Sequence, residues 1–360
     1  MKKRLTALAA LCALLLTGCS SMLEREFVSI TPHNSAPTTD GDPSTLRADS
    51  YQELVNALVY LVDQGQSTGT IRLYTDWEDV AGHMDSACVE VVSEDPLGAY
   101  AVNHIDFELT PLVTYSEAQV SIDYRRTPEQ IDSIISVTGT TATRAALKSA
   151  LQRYAPECVM RIGYFQRDEE FIRSLTRQAF YDDPLSALDY PDMEVSVYPD
   201  EGRQRIVELV FDYHLTAEEL QARKSVVKQE LIQLARTVPY SSGAPYVRVA
   251  AHALLKQTAF EPGGGSTAWH ALTEGKADSE GLALAFAALC QQLRIPCKVA
   301  IGTLGGEPHF WNVVSIGEVW RHMDLSLDSD GMATDDEAEA LGYHWPNSSL
   351  PKCKSIRKPS

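Results

Sequence analysis

The sequence is short of positive charge: 31 Lys and Arg residues face 49 Asp and Glu, a formal net charge of −18. Such a surface repels phosphate backbones, which argues against nucleic acid as a partner. There is no Gly-rich phosphate loop, so a nucleotide site is also disfavoured. Cysteine is sparse, at seven residues. No Cys-x-x-Cys pair and no His/Cys cluster has metal-ligand spacing, so neither a metal nor another cofactor is expected. Beyond the first 18 residues no apolar run approaches the ~20 residues that a membrane span requires.

What is present begins with a leader. Lys2, Lys3 and Arg4 precede an apolar run from Leu5 to Leu16, then Leu16-Thr-Gly-Cys19. This layout predicts a secretory signal over residues 1–18. Its ending matches the bacterial lipobox, in which Cys19 becomes a lipidated N-terminus. The expected location is therefore the extracytoplasmic face of the cell membrane, with the membrane itself a partner through the lipid. Loss of the leader would remove three of the 31 basic residues and no acidic one, leaving 28 against 49, or −21. Five cysteines would remain: Cys88, Cys158, Cys290, Cys297 and Cys353. An odd number in an oxidising compartment leaves at least one unpaired. Cys290 and Cys297 bracket a predicted helix end and strand start. A local disulfide there is one reading; burial as small apolar residues is the preferred one.

The 360 residues suit two or three domains, and 44% hydrophobic residues can form a substantial core. Residues 19–48 are rich in Ser, Thr, Pro and Asp and read as a flexible tether, with a reach of roughly 30 Å. Two units follow, residues 49–139 and 140–222, whose landmarks recur in order. Leu54-Val-Asn-Ala-Leu58 answers to Leu147-Lys-Ser-Ala-Leu151, and Asp95-Pro-Leu97 to Asp183-Pro-Leu185. Asp123-Tyr124 answers to Asp212-Tyr213, and Thr127-Pro-Glu-Gln130 to Thr216-Ala-Glu-Glu219. Each reads as helix, strand, helix, turn and two paired strands, an α+β unit of ~85 residues arising by duplication. Tyr124 and Tyr213 are expected to do the same structural work. The scattered aromatics Tyr60, Tyr74, Trp77, Tyr164, Phe165 and Tyr181 are read as core rather than as a ligand platform. Thr216 with Glu219 forms a capping box at the start of a long helix.

The third unit spans residues 223–346, followed by a tail at 347–360. Gly263-Gly-Gly-Ser266 reads as a flexible loop. After it, Leu282, Phe286, Leu289 and Leu293 recur at helical spacing, predicting a helix with one buried face that ends before Pro296. Strands are expected at Lys298–Gly302, His309–Ile316 and Val319–Asp324, with a turn at Gly317-Glu318. Ser326-x-Asp328-x-Asp330-Gly331-x5-Glu337 is spaced like a calcium-binding EF-hand loop, but it opens with Ser and follows a strand, so it is read as a polar turn.

Three motifs in this unit stand in order: Ala277-Asp-Ser-Glu-Gly-Leu-Ala283, His309-Phe-Trp311-Asn312 and Trp320-Arg-His-Met-Asp324. Together they resemble the transglutaminase-like, papain-like core. In that family a Gly-x-Cys-x-Gly turn opens a helix, His-x-Trp-Asn lies on a strand, and an Asp lies on the next. The resemblance implies a triad at Ser279, His309 and Asp324, with serine in the place of the family's cysteine. Trp269 is a candidate to offer its indole N–H to an oxyanion. A hydroxyl is far less acidic than a thiol, so the helix dipole and an imidazolium that stabilise a thiolate cannot hold it ionised. The alternative for Ser279 is an ordinary N-cap, a role that Asp278 could also fill. The resulting expectation is an α+β envelope lipoprotein, with duplicated repeats followed by a transglutaminase-like domain. That domain would be catalytically degenerate and would act in binding or scaffolding at the cell surface, with an envelope peptide or glycan as the candidate ligand. Acyl transfer or hydrolysis by a Ser-His-Asp triad is the alternative.

Overall fold

A computed structural model describes residues 37–40, 42–165, 168–346 and 350–354. The expected leader, Cys19 and most of the tether lie outside the described residues. No helix among the described residues is long and apolar enough to cross a membrane.

The first unit runs β1 (Thr39–Asp40), β2 (Asp42–Ala48), α1 (Tyr51–Asp63), β3 (Thr68–Leu73), α2 (Val80–Ser93), α3 (Pro96–Ala101), β4 (Val102–Pro111) and β5 (Ser116–Tyr124). After a short α4 (Pro128–Asp132), the second unit runs β6 (Ile135–Val137), α5 (Gly139–Arg153), β7 (Glu157–Ile162), α6 (Glu169–Tyr181), β8 (Asp192–Tyr198) and β9 (Arg205–Asp212). The sheets are ordered β1-β2-β3-β5-β4 and β6-β7-β9-β8. In both, a leading strand lies parallel to the next (β2 with β3, β6 with β7), and an antiparallel hairpin completes the sheet. The leading strands move two expected boundaries. Residues 42–48 are not tether: Thr45, Leu46 and Ala48 are buried in the first sheet. The expected boundary after residue 139 would cut β6 from its own sheet. Both pair with partners that lie beyond a helix, so no local alternation announces them.

The recurring landmarks have different hydrogen bonds. Asp95 caps α3, accepting from the N–H groups of Leu97 and Gly98 at 2.9 Å. Asp183 instead accepts from the Ser186 hydroxyl at 2.6 Å and the Gln152 amide at 2.9 Å. The Tyr124 hydroxyl donates to the Gln66 carbonyl at 3.0 Å, whereas the buried Tyr213 hydroxyl has no hydrogen-bond partner among the described residues. These tyrosines thus do different work. Among the aromatics, Phe165 is core, but Tyr60 and Tyr164 are exposed.

The C-terminal unit opens with α7 (Ala217–Thr237), held at its start by the Thr216–Glu219 capping box, then α8 (Gly243–Leu255). There follow β10 (Ala259–Phe260), a π-helical turn at His270–Glu274, β11 (Lys276–Ala277), α9 (Ser279–Gln292), β12 (Cys297–Leu304), β13 (Glu307–Ser315), β14 (Trp320–Asp324), β15 (Asp328–Ala333), α10 (Asp335–Ala340) and β16 (Tyr343–His344). An antiparallel sheet in the order β15-β14-β13-β12-β16 carries α9 on one face. The fold class is α+β, as the sequence indicates.

Helix α9 is more deeply placed than its periodicity implies. Gly281 to Cys290 are buried without a break. The sheet covers one side and α7 and α8 pack on others, so no polar face is needed. One continuous core joins α5 and α6 of the second unit to α7, α8, α9 and the C-terminal sheet. An expected boundary after residue 222 therefore falls inside α7 and inside a shared core. The tail is anchored at Cys353, which is buried and whose carbonyl accepts from Asp335 N–H at 2.9 Å. All five cysteines among the described residues are free thiols, and burial raises the Cys290 thiol well above its ordinary value.

Candidate active site

Strand alternation puts His309 and Trp311 on one face of β13. On β14 the same face carries His322 and Asp324. The His309 ring and the Asp324 carboxylate meet there: His309 Nε2 lies 2.6 Å from Asp324 Oδ2. Tyr343, on β16, donates its hydroxyl to that oxygen at 2.7 Å. Asp324 Oδ1 accepts from Ser326 N–H at 2.9 Å and Ser326 Oγ at 2.6 Å. Burial alone would push this carboxyl up. The bonds from His309, Ser326 and Tyr343 outweigh it and hold Asp324 below the usual carboxylate range. An ionised Asp324 fixes the tautomer, since Nε2 must carry the imidazole proton. His309 Nδ1 is then the ring's acceptor, and it has no hydrogen-bond partner among the described residues.

A second histidine supports the first. Trp311 donates its indole N–H to His322 Nδ1 at 2.9 Å, and His322 Nε2 bonds Asp335 Oδ1 at the same distance. Asp335 also accepts from Cys353 N–H at 3.2 Å. His322, Asp335 and Cys353 bring ligand atoms within 4.8 Å of one another. They are nonetheless ill suited to a metal. With Nδ1 accepting from Trp311, the neutral ring carries its proton on Nε2 and has no lone pair left to offer. Burial also lowers the His322 pKa, so the neutral ring is the favoured form. This network fixes the wall behind His309. The calcium-like spacing likewise has other employment: Asp330 bonds His252 at 3.1 Å and Glu337 completes the cap of α10.

The start of α9 forms the other half of the site. Asp278, not Ser279, is its N-cap, accepting from Gly281 N–H at 2.9 Å. The capping role considered for Ser279 is therefore filled by its neighbour. Ser279 is the first helical residue, half-buried, and its hydroxyl makes no hydrogen bond among the described residues. Of the first four N–H groups, Gly281 bonds the cap side chain and Leu282 the Asp278 carbonyl. Those of Ser279 and Glu280 find no protein acceptor among the described residues.

The loop Gly263-Gly-Gly-Ser266 is tied to this helix start rather than flexible. Gly265 carbonyl accepts from Asp278 N–H at 3.1 Å, and Ser266 Oγ donates to Asp278 Oδ2 at 2.5 Å. Gly281 is glycine for a steric reason: a Cβ there would lie 2.6 Å from the Gly265 carbonyl oxygen. Asn312 joins the two halves, its amide donating to the Ala283 carbonyl at 2.9 Å. Even so, no hydrogen bond links Ser279 to His309 among the described residues. Trp269 precedes the π-helical turn and lies beneath the Arg223 guanidinium, 4.9 Å from its ring centroid. Its indole N–H bonds neither Ser279 nor His309.

Sequence reasoning missed three contributors: Tyr343, His322 and the pair of Glu280 with Tyr181. Tyr181, at the end of α6 in the second unit, donates its hydroxyl to Glu280 Oε1 at 2.6 Å. Its ring lies 5.8 Å from that of Phe310, next to His309. Burial raises the Glu280 carboxyl to about 7, against the lowering influence of the Tyr181 bond. Glu280 and His322 stand inside the motifs, whereas Tyr343 lies 19 residues beyond Asp324 and nothing in the sequence marks Tyr181.

A helix N-terminus packed against an antiparallel sheet with a His-Asp pair is the arrangement of the transglutaminase-like and papain-like class. Residues 235–325 match the model of the transglutaminase-like superfamily, so the chain carries a transglutaminase-like domain. A search of curated proteins finds no match. Similar solved structures include a TGase, 11% identical over 68% of this chain and 74% of that one, with a TM-score of 0.28. A candidate cysteine protease of Cytophaga hutchinsonii is 12% identical over 40% of this chain and 65% of that one, with a TM-score of 0.27.

Proposed function

We propose that the protein is an envelope lipoprotein whose transglutaminase-like domain binds peptide without turning it over. It would be held at the extracytoplasmic membrane face by a lipid on Cys19. The observation that carries this reading is the unlinked pair Ser279 and His309. Ser279 stands where the family has its cysteine, its hydroxyl cannot be held as an oxyanion by a helix dipole, and it makes no hydrogen bond to a base among the described residues. The two N–H groups at the start of α9 that have no partner among the described residues are suited to a peptide carbonyl or carboxylate. The acidic surface is compatible with cationic or neutral ligands and unfavourable for nucleic acid.

A Ser-His-Asp hydrolase is the second reading, favoured by one observation. Asp278 does the capping, so Ser279 is not retained for that purpose. A serine-directed fluorophosphonate separates the two. No covalent adduct at Ser279 by intact mass is expected after prolonged incubation. A stoichiometric adduct, lost in Ser279→Ala, would establish the hydrolase and end the inert reading.

A further inference from the structure

A cavity of about 240 Å3 lies between α6, α5 and the edge of the C-terminal sheet. In a protein of net charge −18, its lining includes three cations, Arg144, Arg177 and Lys298, against a single carboxylate, Asp182. Asp182 is already shared, with Arg144 Nε at 2.5 Å on one oxygen and Lys298 Nζ at 3.0 Å on the other. Burial pushes the Asp182 carboxyl up, but these bonds hold it low, so it stays charged and neutralises one of its two partners. Arg177 bonds the Tyr190 hydroxyl and lies near enough to Glu280 to favour its ionised form, but it has no direct ion pair among the described residues. The cavity thus keeps an excess of two positive charges while remaining partly open, with Lys298 side chain 46% exposed.

Its position matters as much as its charge. Tyr181 lines it and bonds Glu280, next in sequence to Ser279. Ile301 lines it and is the cross-strand partner of Phe310, next to His309. One wall is therefore apolar, and the cavity adjoins residues flanking both halves of the candidate site. We propose that this groove binds the terminal carboxylate of a peptide whose chain continues toward Ser279 and His309. The proposal rests on the peptide-binding reading above and names the end of the peptide that is recognised. An arginine fork suits a carboxylate, Ile301 can receive the terminal side chain, and the volume suits one residue rather than a long ligand.

The test is calorimetric titration of the full chain carrying Ser279→Ala, which removes any turnover. N-acetyl-alanyl-alanine, its C-terminal amide and inorganic phosphate are each taken to about 10 mM. The free acid is expected to bind at least about tenfold more tightly than the amide, and Arg177→Ala to weaken it by about tenfold. Arg177 is exposed, so that variant should fold, which an unchanged melting temperature verifies. Absence of binding, equal binding of acid and amide, an unaffected Arg177→Ala variant, or tighter binding of phosphate would each overturn the assignment. Fluorophosphonate labelling of Ser279 would overturn only the inert reading and would leave the groove standing.

Discussion

Two carboxylates flank the candidate site, and their surroundings are opposite. Asp324, on the sheet, receives four hydrogen bonds and is held ionised. Glu280, at the start of α9, receives one from Tyr181 and is raised to about 7 by burial. The sheet wall is a finished structure, in which His309, Tyr343 and Ser326 surround one charge while Trp311, His322 and Asp335 lie behind. The helix start is unfinished: two N–H groups and the Ser279 hydroxyl have no partner among the described residues. The half that would supply a general base is thus preorganised, whereas the half that would supply a nucleophile is open to a ligand.

Removing Asp324 is the strongest way to break this contrast. Asp324→Ala would leave the His309, Tyr343 and Ser326 donors without their shared acceptor in a buried place. The expected loss is about 3–5 kcal/mol in urea unfolding. Because the folded pKa is depressed, this carboxylate's contribution is present above the unfolded value. It is lost as pH falls through the lower folded one, so the wild type should weaken in acid while the variant responds less. A loss below ~1 kcal/mol would mean that the sheet wall is held by its apolar contacts alone.

Glu280 has the reverse sign. Its folded pKa of about 7 exceeds the unfolded value, so its contribution is fully present below the unfolded pKa and is lost as pH rises through about 7. Glu280→Gln retains an acceptor for Tyr181 and cannot ionise. It should flatten the stability profile between about pH 4.5 and 7, and at pH 8 gain up to about 3 kcal/mol over the wild type. Melting temperatures across that range decide it. Parallel profiles would show that Glu280 is better solvated than its burial implies.

The contrast also explains what the sequence makes legible. The three motifs, the helix from the 279 region, the hairpin strands and the Thr216 capping box all rest on local spacing, and all are present. The His309–Asp324 pair follows from motif order. Tyr181 could not be read, because it acts 99 residues from Glu280 across a shared core that no local pattern announces. β2 and β6 escaped for the same reason: their parallel partners lie beyond a helix. The fixed geometry of Gly263–Ser266 was hidden by composition. Three glycines suggest flexibility, but here Gly265 takes a left-handed conformation that lets its carbonyl reach Asp278.

Ser279→Cys gives the smallest of these effects and the sharpest view of the helix start. The variant places a thiol on the first residue of α9, beside two N–H groups that have no partner among the described residues. There the helix dipole favours an anion by about 0.3–1 kcal/mol, rising to ~2 in partly buried geometry. A thiol that also reaches His309 would gain a cation as neighbour, and its pKa should fall far below the usual ~8.5. One that does not reach it should fall by about one unit or less, a change worth ~1.4 kcal/mol. The lack of a hydrogen bond between Ser279 and His309 among the described residues selects the smaller shift. The pH dependence of iodoacetamide alkylation measures it directly. A midpoint near 7.5 would confirm that the helix acts alone, and one below ~6 would show that the histidine closes onto the nucleophile position in solution.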